Sequence, residues 1–250
     1  MNVLEINNVS KRFGNLVAVR DVSLSVAPGE LCAIIGPNGA GKTTFFNLIS
    51  GYFPPTSGSI IFDGQDITKL ATHQRVSRGM ARTFQITEIF PELSVHENLL
   101  IPVESEAGLR WRPWLSRSEA SRIEARVEEL LDLGNLRDKS SRLAGELSHG
   151  DQRTTEILMA LALKPRLLLL DEPTAGMGEQ ETYEITELVR QLHRKHSLTI
   201  LLVEHDMRVV FHLADRIMVM AEGSVLAEGT PAQIAADERV QAAYLGGSKA

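Results

Sequence analysis

Hydrophobic residues near the start of the chain follow two different patterns. Val22, Leu24 and Val26 alternate with polar residues, and with residues 3–9 and 59–62 they predict half-buried strands of an antiparallel sheet. Residues 31–35 are instead apolar throughout, which is typical of a strand buried on both faces. The first part of the chain is therefore predicted to be rich in β-structure.

Residues 94–144 are richer in charged and helix-forming residues. Two helix starts carry the spacing of a capping box, Ser94 with Glu97 and Ser116 with Glu119. The apolar residues of the second helix fall on one face: Ile123, Val127, Leu130 and Leu131. This part of the chain is predicted to form a helical subdomain.

Beyond residue 152 the pattern alternates between helix and strand. Helices are predicted to about residue 163 and over 179–195, and strands over 166–170, 198–203, 216–220 and 224–227. Strand and helix in turn favour a mainly parallel core sheet. The predicted fold is α/β, with a mainly parallel core sheet, an antiparallel β subdomain and a helical subdomain.

Residues 36–43 read Gly-Pro-Asn-Gly-Ala-Gly-Lys-Thr, the spacing G-x-x-x-x-G-K-T, and follow directly on the strand 31–35. Such a loop points backbone N–H groups at phosphates, while Lys42 adds a charge and Thr43 offers a hydroxyl to Mg²⁺. A nucleotide triphosphate site is predicted. The alternative is a glycine-rich turn without ligand, which the strand before the motif and the helix-like residues after it disfavour. The candidate binding residues are Gly36, Pro37, Asn38, Gly39, Ala40, Gly41, Lys42, Thr43 and Thr44.

Two adjacent carboxylates, Asp171 and Glu172, end the apolar run 167–170. Neighbouring side chains leave the end of a strand in different directions, so one can bind metal while the other acts on water. We expect Asp171 to join Thr43 around Mg²⁺, and Glu172 to act as general base or water-orienting group toward the γ-phosphate. The alternative is that Asp-Glu-Pro only caps the next helix, and the phosphate-binding motif in the same chain argues against it.

Composition adds a few constraints. The chain has 250 residues and a net charge of −6, so it suits one large α/β domain and presents no basic field to nucleic acid. Its single cysteine, Cys32, excludes an internal disulfide and suits a core position in a reducing compartment. No charge-free run approaches the roughly 20 residues needed to cross a bilayer.

Residues 147–153, Leu-Ser-His-Gly-Asp-Gln-Arg, resemble the L-S-G-G-Q signature of ABC-type ATPases. Gln85 and His205 fall where that family has its Q-loop and switch histidine, and the resemblance covers nearly the whole chain. Ala-Arg-Thr-Phe-Gln at 81–85, Val-Glu-His-Asp-Met at 203–207, Gly-Thr-Pro at 229–231 and Ala-Tyr-Leu-Gly at 243–246 are similar to the ATPase subunits of branched-chain amino-acid importers. That group includes relatives for urea, amides and aromatic acids.

This resemblance implies ATP hydrolysis at sites shared between two ATPase subunits. Ser148 and Gly150 of one subunit would close the site of the other, with a helix N-terminus facing the γ-phosphate. Gln85 would contact the metal and report to the helical subdomain, and His205 would contact the γ-phosphate and help orient water. Phe13 would stack on adenine, unless it is a core residue.

The resemblance also implies partners and a location. The partners are a second ATPase subunit, identical or paralogous, two membrane permeases and, indirectly, a solute-binding protein, with no nucleic acid. The chain would lie at the cytoplasmic face of the cell membrane. A soluble, non-transport ABC ATPase is the alternative function. Within a single ATPase domain, residues 1–85 and 150–250 would form the catalytic core with its β subdomain, and 86–149 the helical subdomain.

Three positions depart from the family pattern. His149 and Asp151 replace Gly and Gln of the signature, so an extra carboxylate lies near Gly150, where it either disfavours phosphate or points away. Gly178 stands where the D-loop usually ends in Asp.

Two further segments are candidates for contact with a membrane partner. Trp111 and Trp114 form either a docking surface or a hydrophobic anchor of the subdomain. A permease-docking groove is expected beside Gln85, lined by the apolar residues Ile86, Ile89, Phe90 and Leu93.

Overall fold

The computed structural model describes residues 2–83, 89–108 and 116–246. The amino-terminal part carries an antiparallel sheet with strand order β2-β1-β4-β5. Its strands are β1 (Leu4–Phe13), β2 (Leu16–Val26), β4 (Ser57–Phe62) and β5 (Gln65–Asp66). Val22, Leu24 and Val26 are buried and the residues between them are exposed, so the predicted alternation is confirmed.

The second sheet has the strand order β10-β9-β3-β8-β7-β6, in which β10 is antiparallel to its neighbour and the others run parallel. Its strands are β3 (Leu31–Ile35), β6 (Met80–Arg82), β7 (Leu167–Asp171), β8 (Thr199–Val203), β9 (Arg216–Ala221) and β10 (Ser224–Gly229). Every residue of β3, β7 and β8 is buried, as expected for strands covered on both faces. Burial raises the pKa of the Cys32 thiol on β3 to about 12, so this cysteine is a protonated core residue at neutral pH. The predicted α/β class is confirmed.

Helices cover both faces of the core sheet. They are α1 (Lys42–Ser50), α2 (Thr72–Val76), α3 (Val95–Glu106), α4 (Arg117–Leu133), α5 (His149–Ala162), α6 (Glu179–His196), α7 (Met207–Leu213), α8 (Pro231–Ala236) and α9 (Glu238–Gly246), with short 3₁₀ turns at Arg137–Lys139 and Ala144–Glu146. α1 packs with the antiparallel sheet on one face, and α6, α7 and α8 pack on the other. Within the described ranges, no helix combines the length and apolar character that crossing a bilayer requires.

A separate hydrophobic cluster joins α3, α4 and α5. It contains the predicted apolar stripe of α4: Ile123, Val127, Leu130 and Leu131. Both predicted capping boxes form at the starts of α3 and α4. α5 contributes Leu158 to this cluster and Ile157 to the core beneath the sheet, so one continuous helix connects the two. The predicted boundary between the helical subdomain and the catalytic core, at residues 149/150, falls in the first turn of that helix.

A buried arginine closes the carboxyl end of α1. The guanidinium of Arg75 is 1% exposed and donates to the carbonyl oxygens of Leu48 at 2.8 Å, Ile49 at 2.7 Å, Leu70 at 2.9 Å and Thr68 at 3.2 Å. The last carbonyls of a helix lack partners within it, and the negative end of the helix dipole favours a cation. Burial lowers the pKa of Arg75 to about 10, which leaves it charged at neutral pH. The helix that starts in the glycine-rich loop is thus fixed at its far end.

Replacing Arg75 with Met keeps much of its apolar volume but removes the guanidinium donors to these carbonyls. We expect Arg75→Met to lower the free energy of unfolding by about 2–4 kcal/mol, measured by urea denaturation. Arg78→Met is the matched control, because Arg78 is exposed, and should change the value by no more than about 0.5 kcal/mol. Equal losses in the two variants would show that Arg75 does not act as a helix cap.

Candidate functional site

The glycine-rich loop connects the end of β3 to the start of α1. Gly41 has φ +93°, and a Cβ there would lie 2.4 Å from the carbonyl oxygen of Ala18. A Cβ on Gly36 would lie 2.1 Å from the carbonyl oxygen of Met220. No other residue type fits these two positions without moving backbone. The sequence motif therefore corresponds to a tightly packed turn at a helix N-terminus, the arrangement that binds phosphate.

Lys42 opens α1 and is largely buried beneath this loop. Its Nζ donates to the carbonyl oxygens of Gly36 at 2.6 Å and Pro37 at 3.2 Å. Burial lowers the pKa of the Lys42 ammonium, and the charge of Glu172 opposes this shift. The ammonium is held inside the loop, where it can pass from the carbonyls to phosphate oxygens.

Asp171 ends β7 and is held from two sides. Its Oδ2 accepts from Arg82 Nη2 at 2.8 Å, and its carbonyl oxygen accepts from Arg153 Nη2 at 2.7 Å. Arg82 also donates to Asn47 Oδ1 at 2.7 Å and to Ser50 Oγ at 2.6 Å, both on α1. Neither arginine had a predicted role, although both lie in the stretches that carry the family resemblance. Arg82 fixes the predicted metal ligand relative to the helix of the phosphate loop, and Arg153 fixes it relative to α5.

Asp171 is the last residue of β7, and Thr43 lies in the first turn of α1, which follows β3 through the phosphate loop; both offer oxygen. Hydroxyl and carboxylate oxygens suit Mg²⁺, so this pair fits the metal that the motif implies. In the part of the chain that the structure describes, no group of three or more His, Cys, Asp or Glu residues could hold a metal on its own.

Glu172 has an unusual backbone conformation. Its φ is +44°, a left-handed value that costs a non-glycine residue on the order of 1 kcal/mol or more. Its N–H donates to the carbonyl oxygen of Val203 at 2.9 Å, which ties it to the end of β8. Glu172 Oε2 lies 3.9 Å from Nδ1 of His205, whose side chain is 62% exposed. The structure thus brings together the two residues predicted to act on water and the γ-phosphate.

Ser148 is the N-cap of α5, and its Oγ accepts from the N–H of Asp151 at 3.2 Å. The N–H of Gly150 donates to Oε1 of Glu181 on α6 at 3.0 Å. The extra carboxylate of Asp151 binds Lys139 Nζ at 2.6 Å, so it is already paired with a cation. Of the two possibilities for Asp151, the structure supports a side chain directed away from the helix N-terminus.

Phe13 lies at the end of β1 and is 47% exposed, so it is not a core residue. Its ring meets Phe53 edge to face, with centroids 5.4 Å apart, and Lys11 Nζ lies 5.2 Å from its centroid. An exposed ring of this kind can stack on a base. Gln85, Ile86, Trp111 and Trp114 lie outside the described residues.

Comparison with known proteins gives consistent matches. Residues 19–175 match the family model of the ABC transporter, and residues 224–250 match that of the branched-chain amino acid ATP-binding cassette transporter. The high-affinity branched-chain amino acid transport ATP-binding protein BraF of Pseudomonas aeruginosa is 41% identical over 250 residues, 98% of each chain. The high-affinity branched-chain amino acid transport ATP-binding protein LivG of Escherichia coli is 40% identical over 250 residues, also 98% of each chain. The lipopolysaccharide export system ATP-binding protein LptB of Haemophilus influenzae is 36% identical over 246 residues, again 98% of each chain.

Solved structures agree with these matches. An ATP-binding cassette of an ABC transporter in its ADP conformation has a TM-score of 0.84 at 32% identity, over 98% of this chain and 99% of that one. A dimeric ATP-binding cassette in a post-hydrolysis state, bound to ADP and Pi, has a TM-score of 0.76 at 27% identity, over 91% of this chain and 98% of that one.

The environment of Lys42 predicts the effect of removing it. Lys42→Ala leaves the β- and γ-phosphate charge to backbone amides and Mg²⁺, so we expect affinity for ATP to fall at least about 100-fold. Titration of the folded variant with a fluorescent ATP analogue measures this. Lys195→Ala, which removes an exposed lysine near the end of α6, should bind as the parent does. Unchanged affinity in Lys42→Ala would refute the phosphate site.

Proposed function

The chain belongs to the ABC transporter ATPase family, and we propose that it is the ATP-hydrolysing subunit of an importer for branched-chain amino acids or a similar small polar solute. ATP hydrolysis follows from the family. The observation that carries the substrate class is the match of residues 224–250 to branched-chain amino-acid cassettes, together with 41% identity to BraF across 98% of the chain. These relatives argue against the alternative, a soluble ABC ATPase without a role in transport.

The geometry supports separate roles for different residues in binding the phosphates and the metal ion. The amides of residues 36–44 and the ammonium of Lys42 bind the phosphates. Thr43 and Asp171 would hold Mg²⁺, with Gln85 as a further ligand, and the ion would neutralise phosphate charge as the bond breaks. Arg82 keeps the Asp171 carboxylate in place for this.

The two residues that act on the attacking water and the γ-phosphate, Glu172 and His205, follow the ends of β7 and β8. Glu172 accepts a proton from the attacking water or orients it, and His205 contacts the γ-phosphate. Phe13 stacks on the adenine. A second ATPase subunit supplies Ser148 and Gly150 across the interface, and the dimeric cassette bound to ADP and Pi supports this arrangement. The catalytic core comprises residues 1–85 and 150–250, and the helical subdomain 86–149.

As an importer subunit, the protein would also have membrane partners and a location at the membrane. Two permeases would bind this chain and its ATPase partner at the cytoplasmic face of the cell membrane, and a solute-binding protein would act on the other side. Phe90 is suited to permease docking because its ring is 49% exposed while its backbone is fixed. The Phe90 N–H donates to Asn98 Oδ1 at 2.8 Å, and its carbonyl oxygen accepts from Asn98 Nδ2 at 3.0 Å. Ile89 and Leu93, both partly buried, flank it.

Glu172→Gln tests the proposed chemistry. The amide cannot accept the proton of water, so turnover should fall by about 10²–10⁴-fold while affinity for ATP is retained. ATP that is bound but not hydrolysed should hold two subunits together. Phosphate release measures turnover, and size-exclusion chromatography with ATP and Mg²⁺ measures dimers. Turnover equal to that of the parent would refute the role of Glu172.

Phe90→Asp tests the docking surface. A carboxylate in an apolar groove disfavours a permease helix, so co-purification with the permeases should be lost while affinity for ATP stays unchanged. Val225→Asp is the control, because Val225 is also exposed but lies on β10. If Phe90→Asp co-purifies as well as this control, the groove lies elsewhere.

A further inference from the structure

Glu204 is a fully buried carboxylate directly before His205, and it has no role in the proposed mechanism. Its Oε1 accepts from the N–H of Thr174 at 3.2 Å and from the Thr174 hydroxyl. Its Oε2 accepts from the N–H of His205 at 2.7 Å and of Asp206 at 3.2 Å. Each of these donors is a neutral group.

Such a residue is costly to keep. Moving a carboxylate out of water costs several kcal/mol, which only well-placed hydrogen bonds offset. The carboxylate of Glu204 receives them from two segments that lie 30 residues apart in sequence. Its geometry therefore depends on both segments, and their relative position depends on it.

Each of the two segments carries a residue that acts on water or on the γ-phosphate. The turn after β7 carries Glu172, and the segment after β8 carries His205. The segments are joined at two points, Glu172 N–H to the Val203 carbonyl at 2.9 Å and Thr174 to Glu204. These hydrogen bonds, at Glu172 and two residues after it, hold the left-handed backbone of Glu172. Without them this backbone would relax toward a more common conformation.

The ring of His205 has the same dependence. Its side chain is mostly exposed, and its Nδ1 lies 3.5 Å from Glu204 Oε2 and 3.9 Å from Glu172 Oε2. A carboxylate beside one ring nitrogen favours a tautomer and an orientation of the ring, as in other sites where histidine acts on a substrate.

We propose that Glu204 is a positioning residue for ATP hydrolysis, which holds Glu172 and His205 at their working separation through Thr174 and the His205 amide. The inference rests on the proposed function, in which Glu172 acts on water. Displacement of a reacting group by about 1 Å is enough to reduce a rate by around 10²-fold.

Glu204→Gln in the full chain tests this with little change in volume. One carboxylate oxygen becomes an NH₂ group that faces N–H donors and cannot accept from them. We expect kcat to fall by about 10–100-fold, and affinity for a fluorescent ATP analogue to change by less than about twofold, since the phosphate loop belongs to other elements. Glu238→Gln, on the exposed surface of α9, should match the parent.

Thr174 provides a second series that does not alter the buried charge. Thr174→Val removes the hydroxyl donor and should lower kcat in the same direction, and Thr174→Ser should restore it. A lowered melting temperature with kcat unchanged in both Glu204→Gln and Thr174→Val would mean that Glu204 is only structural, and would overturn the inference.

A mutant cycle separates the inference from the proposed function. If Glu204 acts through Glu172 and His205, adding Glu204→Gln to a variant that carries both Glu172→Gln and His205→Ala should change the residual single-turnover rate by less than about twofold. If the two losses multiply, the residues act independently and the inference fails while the proposed function stands. If Glu172→Gln alone turns over as the parent does, the proposed role of Glu172 itself fails.

Discussion

The site depends on the register of the parallel strands β3, β8 and β7. Val203 is paired with Ile34 on one side and with Asp171 on the other. Because parallel strands end at the same edge of a sheet, this register brings three segments to one place. The phosphate loop starts soon after Ile34, Glu172 directly follows Asp171, and His205 comes shortly after Val203. A one-residue slip of the register would exchange the side chains on the two faces of a strand. Both faces of these strands are buried in close-packed surroundings, so the exchanged side chains would not fit.

Buried charged side chains bind backbone and side-chain groups of the segments that build the site. Arg75 closes the far end of α1, Arg82 links α1 to Asp171, and Arg153 holds the Asp171 carbonyl from α5. Glu204 performs the same task with the opposite charge. Each makes several hydrogen bonds, so the cost of burying its charge is offset and its own position is fixed in return. The residues proposed to act on ATP are therefore held by contacts within the protein, which lowers the cost of ordering them during the reaction.

The strands, helix caps and phosphate loop were predictable because their signals are local. Alternation along β2, the unbroken apolar run of β3 and the capping boxes at Ser94 and Ser116 each depend on residues a few positions apart. The supporting contacts were not predictable on that basis. Arg82 and Asp171 are 89 residues apart, and only the finished sheet makes β6 and β7 neighbours. Nothing local distinguishes such an arginine from a solvated one. Phe13 shows the same limit, because its exposure depends on how the end of β1 packs.

In the signature segment, too, an added charge is paired with a neighbouring side chain. Asp151 adds a carboxylate to the N-terminal turn of α5, where an anion competes with phosphate for the helix dipole. Lys139 pairs with it, so the turn gains little net negative charge. The N–H of Gly150 already donates to Glu181, the residue that also caps the start of α6 beside Gly178. Under the proposed dimer mechanism, a γ-phosphate that binds Gly150 has to replace this carboxylate.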